Sequence, residues 1–129
     1  MTAGPRLFSI LRQGVYLIAS IHTALDDSQL LRFQQDLIST IGRDRARGVV
    51  IDVAALDVLD SFATSTLRDI GDMARLRGAA TVIVGIQPEV AIAMVRLGLR
   101  TGVLETALDL EEGLELLGDR VAGSPAGRR

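Results

Sequence analysis

An uninterrupted apolar run at positions 49–51 constrains the fold of this chain more than any other feature. Val49, Val50 and Ile51 follow one another with no polar residue between them, and a second Val- and Ile-rich run covers 81–86. Runs of this kind are typical of strands covered on both faces, as in the parallel part of an α/β sheet. The sequence therefore predicts buried strands at 48–53 and 81–86.

Capping signals mark the starts of three predicted helices. Asp26, with Gln29 three residues later, forms a capping-box arrangement ahead of an apolar stripe at helical spacing. Pro88 suits the first turn of a later helix. Asp109 with Glu112 predicts the cap of a last helix that ends near 117.

A further helix is predicted between the two buried strands. Phe62, Thr66, Ile70 and Met73 recur at helical spacing and predict its buried face. Gly78 supplies its stop.

One mixed sheet accounts for the predicted elements. Apolar runs at 8–11 and 15–21, separated by a Gln-Gly pair, predict a hairpin, and a short last strand is expected at 103–104. The resulting order predicts an α/β fold in which the N-terminal hairpin and parallel strands form one sheet with four helices packed on it. We expect a single domain over 1–121 and a disordered tail over 122–129.

Composition removes several classes of function. The formal net charge is −2, cysteine is absent, and all 14 basic residues are Arg. Thiolate, cysteine-metal and Schiff-base chemistry are therefore excluded, and the charge does not favour nucleic-acid binding. His22 has no second His and no Cys to complete a metal site or a triad, and no glycine-rich phosphate loop occurs. We therefore expect no enzymatic activity, no cofactor and no bound metal.

No membrane attachment is expected from the hydropathy pattern. No segment approaches the roughly 18 consecutive apolar residues that a membrane span requires. Arg6 and Arg12 interrupt any apolar core of a signal peptide. We expect a cytoplasmic protein.

Ser61 lies at the mouth of the second helix and follows two carboxylates, Asp57 and Asp60. No base is available to make its hydroxyl a nucleophile. A phosphate there adds about −1.5 to −2 charge at a helix end whose free N–H groups accept anions. The residues predict either an N-cap with no regulatory role or a phosphorylation switch. Thr64, one turn further on, is the secondary acceptor.

Three stretches of the chain, IDVAALDVLDSFA, VIVGIQPEVA and ETALDLEEGLE, together resemble the STAS domain family over about residues 7–118. In the antagonists of this family the phosphorylated Ser or Thr follows an Asp at the start of the second helix, and a Leu comes a few residues later. The matching positions here are Asp60, Ser61 and Leu67.

Two departures indicate a branch of the family. Many single-domain antagonists have Gly two residues after the phosphorylated Ser, where this chain has Ala63. The first strand is expected to begin near Leu7, which leaves no room for an N-terminal sensor domain. Both favour the RsbS-like stressosome branch over direct antagonists of anti-sigma factors and over the sensor subunits.

The resemblance implies a set of partners. RsbS-like proteins self-associate with RsbR-like sensor proteins in a large assembly that sequesters an RsbT-like switch kinase. Phosphorylation of the Ser that matches Ser61 releases the kinase into an alternative sigma factor pathway, and an RsbX-like phosphatase resets the Ser. The alternative within the fold is a direct anti-sigma-factor antagonist that binds an anti-sigma kinase. We expect the partner surface to include Asp57, Asp60, Phe62, Arg68 and Asp72.

Overall fold

The computed structural model describes residues 6–98 and 104–122. Five strands and four helices alternate along this part of the chain. They are β1 Phe8–Gln13, β2 Tyr16–Ile21, α1 Asp27–Asp44, β3 Gly48–Asp52, α2 Ser61–Leu76, β4 Ala80–Val84, α3 Pro88–Arg96, β5 Glu105–Ala107 and α4 Leu110–Ala122. The predicted mixed α/β architecture is confirmed.

The five strands form one sheet in the order β1-β2-β3-β4-β5. β1 and β2 are antiparallel, joined at Gly14 with φ 63°, and every later pair is parallel. Parallel neighbours need crossover connections, which α1, α2 and α3 supply. The parallel strands all end at one edge of the sheet, here called the carboxyl edge, where the next helix begins.

The sheet is covered on both faces, which explains the apolar run at 49–51. Val49 and Ile51 are fully buried in the larger core with the helices α1, α2 and α3. Val50 faces the other way and packs in a second core with Leu117 of α4. A Cβ at Gly113 would lie 2.7 Å from Val84 Cγ1, so α4 approaches the sheet closely at that glycine.

The predicted caps are present in the structure. The Asp26 carboxylate accepts the Gln29 N–H at 2.8 Å, while the Gln29 side chain accepts the Asp26 N–H, completing the capping box. These contacts, led by the Gln29 N–H and then the Ser28 hydroxyl, lower the pKa of Asp26. Pro88 is in the first turn of α3, and the Asp109 carboxylate accepts the Glu112 N–H at 2.9 Å.

Several predicted boundaries and one predicted face are corrected. Strand β4 covers Ala80–Val84 rather than 81–86, because the chain turns at Gly85, where φ is positive. The last strand is at Glu105–Ala107 and does not include Leu104, while position 103 of the predicted strand lies outside the described residues. Helix α4 continues beyond 117 to Ala122. The buried face of α2 does not include Phe62, which is 36% exposed. Small residues, Ala63 and Ala74 among them, fill that face instead. The expected tail lies, from residue 123 onward, outside the described residues.

Candidate functional site

The segment 53–60, which connects β3 to α2, is fixed to the body of the protein. Leu56 and Leu59 are each 5% exposed and belong to the larger core. The Val53 N–H donates to the Val84 carbonyl at 3.0 Å, and the Gln87 amide donates to a carbonyl of the segment at 2.7 Å. The segment therefore presents Asp57 and its exposed neighbours on an anchored scaffold.

Gly85 makes this anchoring possible. Its φ is +82°, and a Cβ there would meet Ala54 Cβ at 2.9 Å and the Ala54 nitrogen at 3.1 Å. Glycine adopts this conformation without the strain that a side chain would add. The turn after β4 thus packs closely against the segment that leads to α2.

Asp60, and not Ser61, is the N-cap of α2. The Asp60 Oδ1 atom accepts the Ala63 N–H at 2.8 Å, and the Asp60 carbonyl accepts the Thr64 N–H at 2.9 Å. The alternative in which Ser61 itself caps the helix is therefore wrong, because the carboxylate one residue earlier already has that role. Sequence alone could not separate the two, since Asp and Ser are equally good N-caps.

The Ser61 hydroxyl consequently does not cap the helix. Ser61 is the first residue of α2, its side chain is exposed, and its hydroxyl makes no hydrogen bond within the described residues. The N–H groups of Ser61 and Phe62 likewise have no acceptor in that part of the chain. An anion attached to Ser61 would sit at a helix N-terminus whose dipole favours negative charge.

Arg68 and Asp72 lie on the same face of α2 as Ser61. They follow it by seven and eleven positions, which at 100° per residue returns to within about 20° of its direction. Asp72 is exposed and Arg68 partly so. A stripe of polar groups about 16 Å long therefore runs from Ser61 along α2.

Asp57 and Phe62 flank the start of this stripe, and both are exposed. Val58 lies in the same segment and is 72% exposed. The sequence gives no signal for this exposure, because Val58 and Leu59 both lie between Asp57 and Asp60 and only Leu59 is buried. The candidate site thus combines carboxylates with two exposed apolar side chains.

Thr64 differs from Ser61 in its surroundings. It is 3% exposed, and its Oγ1 atom is buried with no hydrogen-bond partner in the described residues. One helical turn separates it from Ser61, but it faces the core. A kinase could reach this hydroxyl only after local opening of α2.

Charge is divided between the two edges of the sheet. Each helix begins at the carboxyl edge and ends at the opposite edge. The acidic first turns of α1, α3 and α4 and the Asp60 cap of α2 therefore gather at the former, and the basic last turns gather at the latter. The carboxylates at the carboxyl edge, where Arg6 also lies, are Asp26, Asp27, Asp52, Asp57, Asp60, Glu89, Asp109, Glu111 and Glu112. The arginines at the opposite edge, where Asp44 and Asp119 also lie, include Arg43, Arg45, Arg47, Arg75, Arg77 and Arg96. Ser61 therefore lies at an acidic pole.

No metal-binding cluster and no membrane span occur in the part of the chain that the structure describes. No three side chains of the ligating types gather there, and none of its helices has the length and hydropathy to cross a bilayer. His22 contacts Ser9, with 3.1 Å between Nε2 and Oγ.

The sequence profile of the STAS domain matches residues 9–113. The chain belongs to the STAS family. Solved structures from the stressosome group are similar to it in both sequence and fold. The serine-to-glutamate variant of Moorella thermoacetica RsbS shares 36% identity, covers 88% of this chain and 97% of its own length, and superimposes with a TM-score of 0.76.

Two further proteins are similar to this chain. A chain from the structure of the stressosome, described as a signal integration and transduction hub, is 32% identical with a TM-score of 0.70, and the match covers 88% of this chain and 98% of that one. The RsbT co-antagonist protein RsbRA of Bacillus subtilis is 26% identical over 91 residues, which is 70% of this chain. The chain spans about a third of the length of RsbRA.

Proposed function

We propose that this STAS protein is a stressosome scaffold that sequesters an RsbT-like switch serine/threonine kinase and releases it when Ser61 is phosphorylated. The observation that carries the proposal is the exposed Ser61 hydroxyl, which has no capping role because Asp60 caps α2. The similarity to RsbS and to a stressosome chain supports the same class of role. The protein is a regulator rather than an enzyme.

The proposed switch uses chemistry supplied by the kinase. The kinase transfers the γ-phosphoryl group of ATP to the Ser61 oxygen, so that an O–P bond forms, ADP leaves, and the hydroxyl proton passes to the kinase. The product adds about −1.5 to −2 charge beside Asp57 and Asp60. Like charges in one exposed segment repel one another and alter the surface offered to the kinase without unfolding the domain.

The proposed kinase surface follows the polar stripe of α2 and the segment before it. It contains Asp57, Asp60 and Phe62 around the acceptor, and Arg68 and Asp72 further along the helix. The anchored segment 53–60 fixes the backbone that carries Asp57 and Asp60, which lowers the entropic cost of binding. Thr64 is retained only as an acceptor that requires helix opening, because it is buried.

The decisive experiment is mass spectrometry of the protein after incubation with ATP and an RsbT-like kinase. We expect one phosphate on the wild-type chain and none on Ser61→Ala. Ser65→Ala, one turn along the same helix, is the matched control and should keep the phosphate. A phosphate that survives in Ser61→Ala contradicts the proposed site, and kinase binding that is unchanged by phosphorylation contradicts the release mechanism.

Particle size separates this proposal from the alternative, a direct anti-sigma-factor antagonist. A cytoplasmic scaffold that self-associates with RsbR-like sensor proteins should elute as a very large assembly when mixed with them. An antagonist should remain a monomer or dimer under the same conditions. Reversal by an RsbX-like phosphatase should restore kinase binding to the phosphorylated scaffold.

A further inference from the structure

A cavity of about 430 Å³ opens at the edge of the sheet opposite Ser61. β5 is short and pairs only with the second half of β4, so among the described residues no strand lies beside Ala80 and Thr81 on that side. Gly71 of α2 and Gly78, which follows the helix, line it. Its size falls within the range of small-molecule sites. This edge cavity lies at the far end of α2 from the switch residue.

A buried hydroxyl in the wall of the edge cavity lacks a partner. Thr81 is 7% exposed, and its Oγ1 atom has no hydrogen-bond partner in the described residues. Buried polar groups in native proteins are nearly always satisfied, so an orphan hydroxyl needs a reason. The Thr81 Oγ1 atom has less than 1 Å² of accessible surface, so a ligand in the cavity accepts its hydrogen bond only after the Thr81 side chain rotates about χ1.

Positive charge in the edge cavity exceeds negative charge. Arg75 lines it and makes no ion pair with any residue that the structure describes. On the other wall Arg120 contacts Glu105, which neutralises that carboxylate and leaves further guanidinium N–H donors. The two arginines and one glutamate leave one net positive charge beside the Thr81 hydroxyl.

The remaining lining of the edge cavity is small and apolar, from Ala79, Ala80 and Val82. We propose that the edge cavity binds a small organic anion, with a phosphate or carboxylate group held by Arg75 and Thr81 and an apolar body against β4. The arginine guanidinium and the hydroxyl are the donors that both anions accept. This site is separate from Ser61 and does not depend on the function proposed above.

The test is a titration of the isotope-labelled protein, followed by amide chemical shifts. The probes are phenyl phosphate and benzoate, with inorganic phosphate and phenol as fragments that lack the apolar body or the charge. We expect at least one aromatic anion to saturate with a Kd of about 1 mM or lower, with the largest shifts at residues 78–82. Each fragment alone should bind at least five times more weakly.

Variants decide whether the edge cavity is responsible. Arg75→Met should weaken binding at least tenfold, and Thr81→Val about threefold. Arg96→Met, which removes an arginine of the same edge outside the cavity, should leave the Kd within twofold. Thr81→Val removes an unsatisfied buried hydroxyl, so its thermal midpoint should stay the same or rise, which shows that it folds.

Three results would overturn the proposal. Shifts that fail to saturate with either aromatic anion would exclude this ligand class. An unchanged Kd in Arg75→Met would exclude the cavity, and an equal loss in Arg96→Met would indicate a general attraction of anions to the basic edge. The comparison of the two probes distinguishes a phosphate site from a carboxylate site. None of these outcomes bears on whether Ser61 is phosphorylated.

Discussion

Two buried threonines on α2 provide a matched test of the packing described above. Thr64 and Thr66 are each 3% exposed, but only Thr66 has a bonded hydroxyl, which donates to the Phe62 carbonyl at 2.8 Å. Replacing either residue by Val keeps the shape and has little effect on helix propensity. The two variants should therefore differ only in whether the removed hydroxyl had made a hydrogen bond.

The expected changes have opposite signs. An unsatisfied buried hydroxyl costs about 1–3 kcal/mol, so Thr64→Val should raise the free energy of unfolding by about 1 kcal/mol. A satisfied hydrogen bond contributes about 0.5–1.5 kcal/mol, so Thr66→Val should lower it by roughly 0.5–1 kcal/mol. The two variants should then differ by about 1.5–2 kcal/mol.

Urea unfolding followed by circular dichroism measures this difference. The two variants and the wild type should share one m-value and differ in midpoint, because the surface exposed on unfolding is unchanged. If Thr64→Val is destabilised as much as Thr66→Val, the Thr64 hydroxyl is bonded in solution and the reasoning fails. Thr64→Val should also accept the same phosphate as the wild type, since Ser61 is intact.

Three further outcomes follow from the caps and the close approach of segments. Asp60→Ala should lower the free energy of unfolding by about 1 kcal/mol in urea, because the N-cap hydrogen bond is lost; an unchanged midpoint would contradict the assigned cap. Gly85→Ala should cost more than about 1 kcal/mol by the same assay, since its φ is +82° and its Cβ would meet Ala54; Gly78→Ala, also at positive φ but in open space, is the control. The lowered pKa of Asp26 means that its stabilisation is present above the ordinary Asp value and is lost as pH falls through the lowered one. Asp26→Asn should therefore flatten the acid limb of stability against pH, below about pH 4, and an unaltered limb would refute the assignment.

The helix caps were predictable because their signals are local. Each cap forms hydrogen bonds to backbone N–H groups within four residues, as in the pairs Asp26 with Gln29 and Asp109 with Glu112. No knowledge of the tertiary fold is needed to predict them. The buried strands were predictable for a related reason. A strand with an uninterrupted apolar run has no face suited to water, whatever packs on it.

The face of α2 was not predictable from hydrophobicity. Phe62 is the largest apolar residue at the start of the helix, yet it is partly exposed while Ala63 is buried. α1 and α2 pack side by side on the sheet, and small side chains allow that close approach. The N-cap residue also could not be predicted, because Asp60 and Ser61 are both suited to that position. The choice depends on the residue at which the helix begins, and the Ala63 N–H, which donates to Asp60, shows that it begins at Ser61.

The separation of charge between the two edges gives the molecule an electric dipole that acts before contact. A partner with a basic surface is drawn toward the carboxyl edge and arrives already turned to face Ser61, over roughly the 8–10 Å range that physiological salt allows. A phosphate on Ser61 steepens that dipole, and so speeds the encounter with such a partner. If phosphorylation nevertheless releases the partner, its effect must appear in a faster dissociation of the bound complex, and the association rate would rise as the affinity falls.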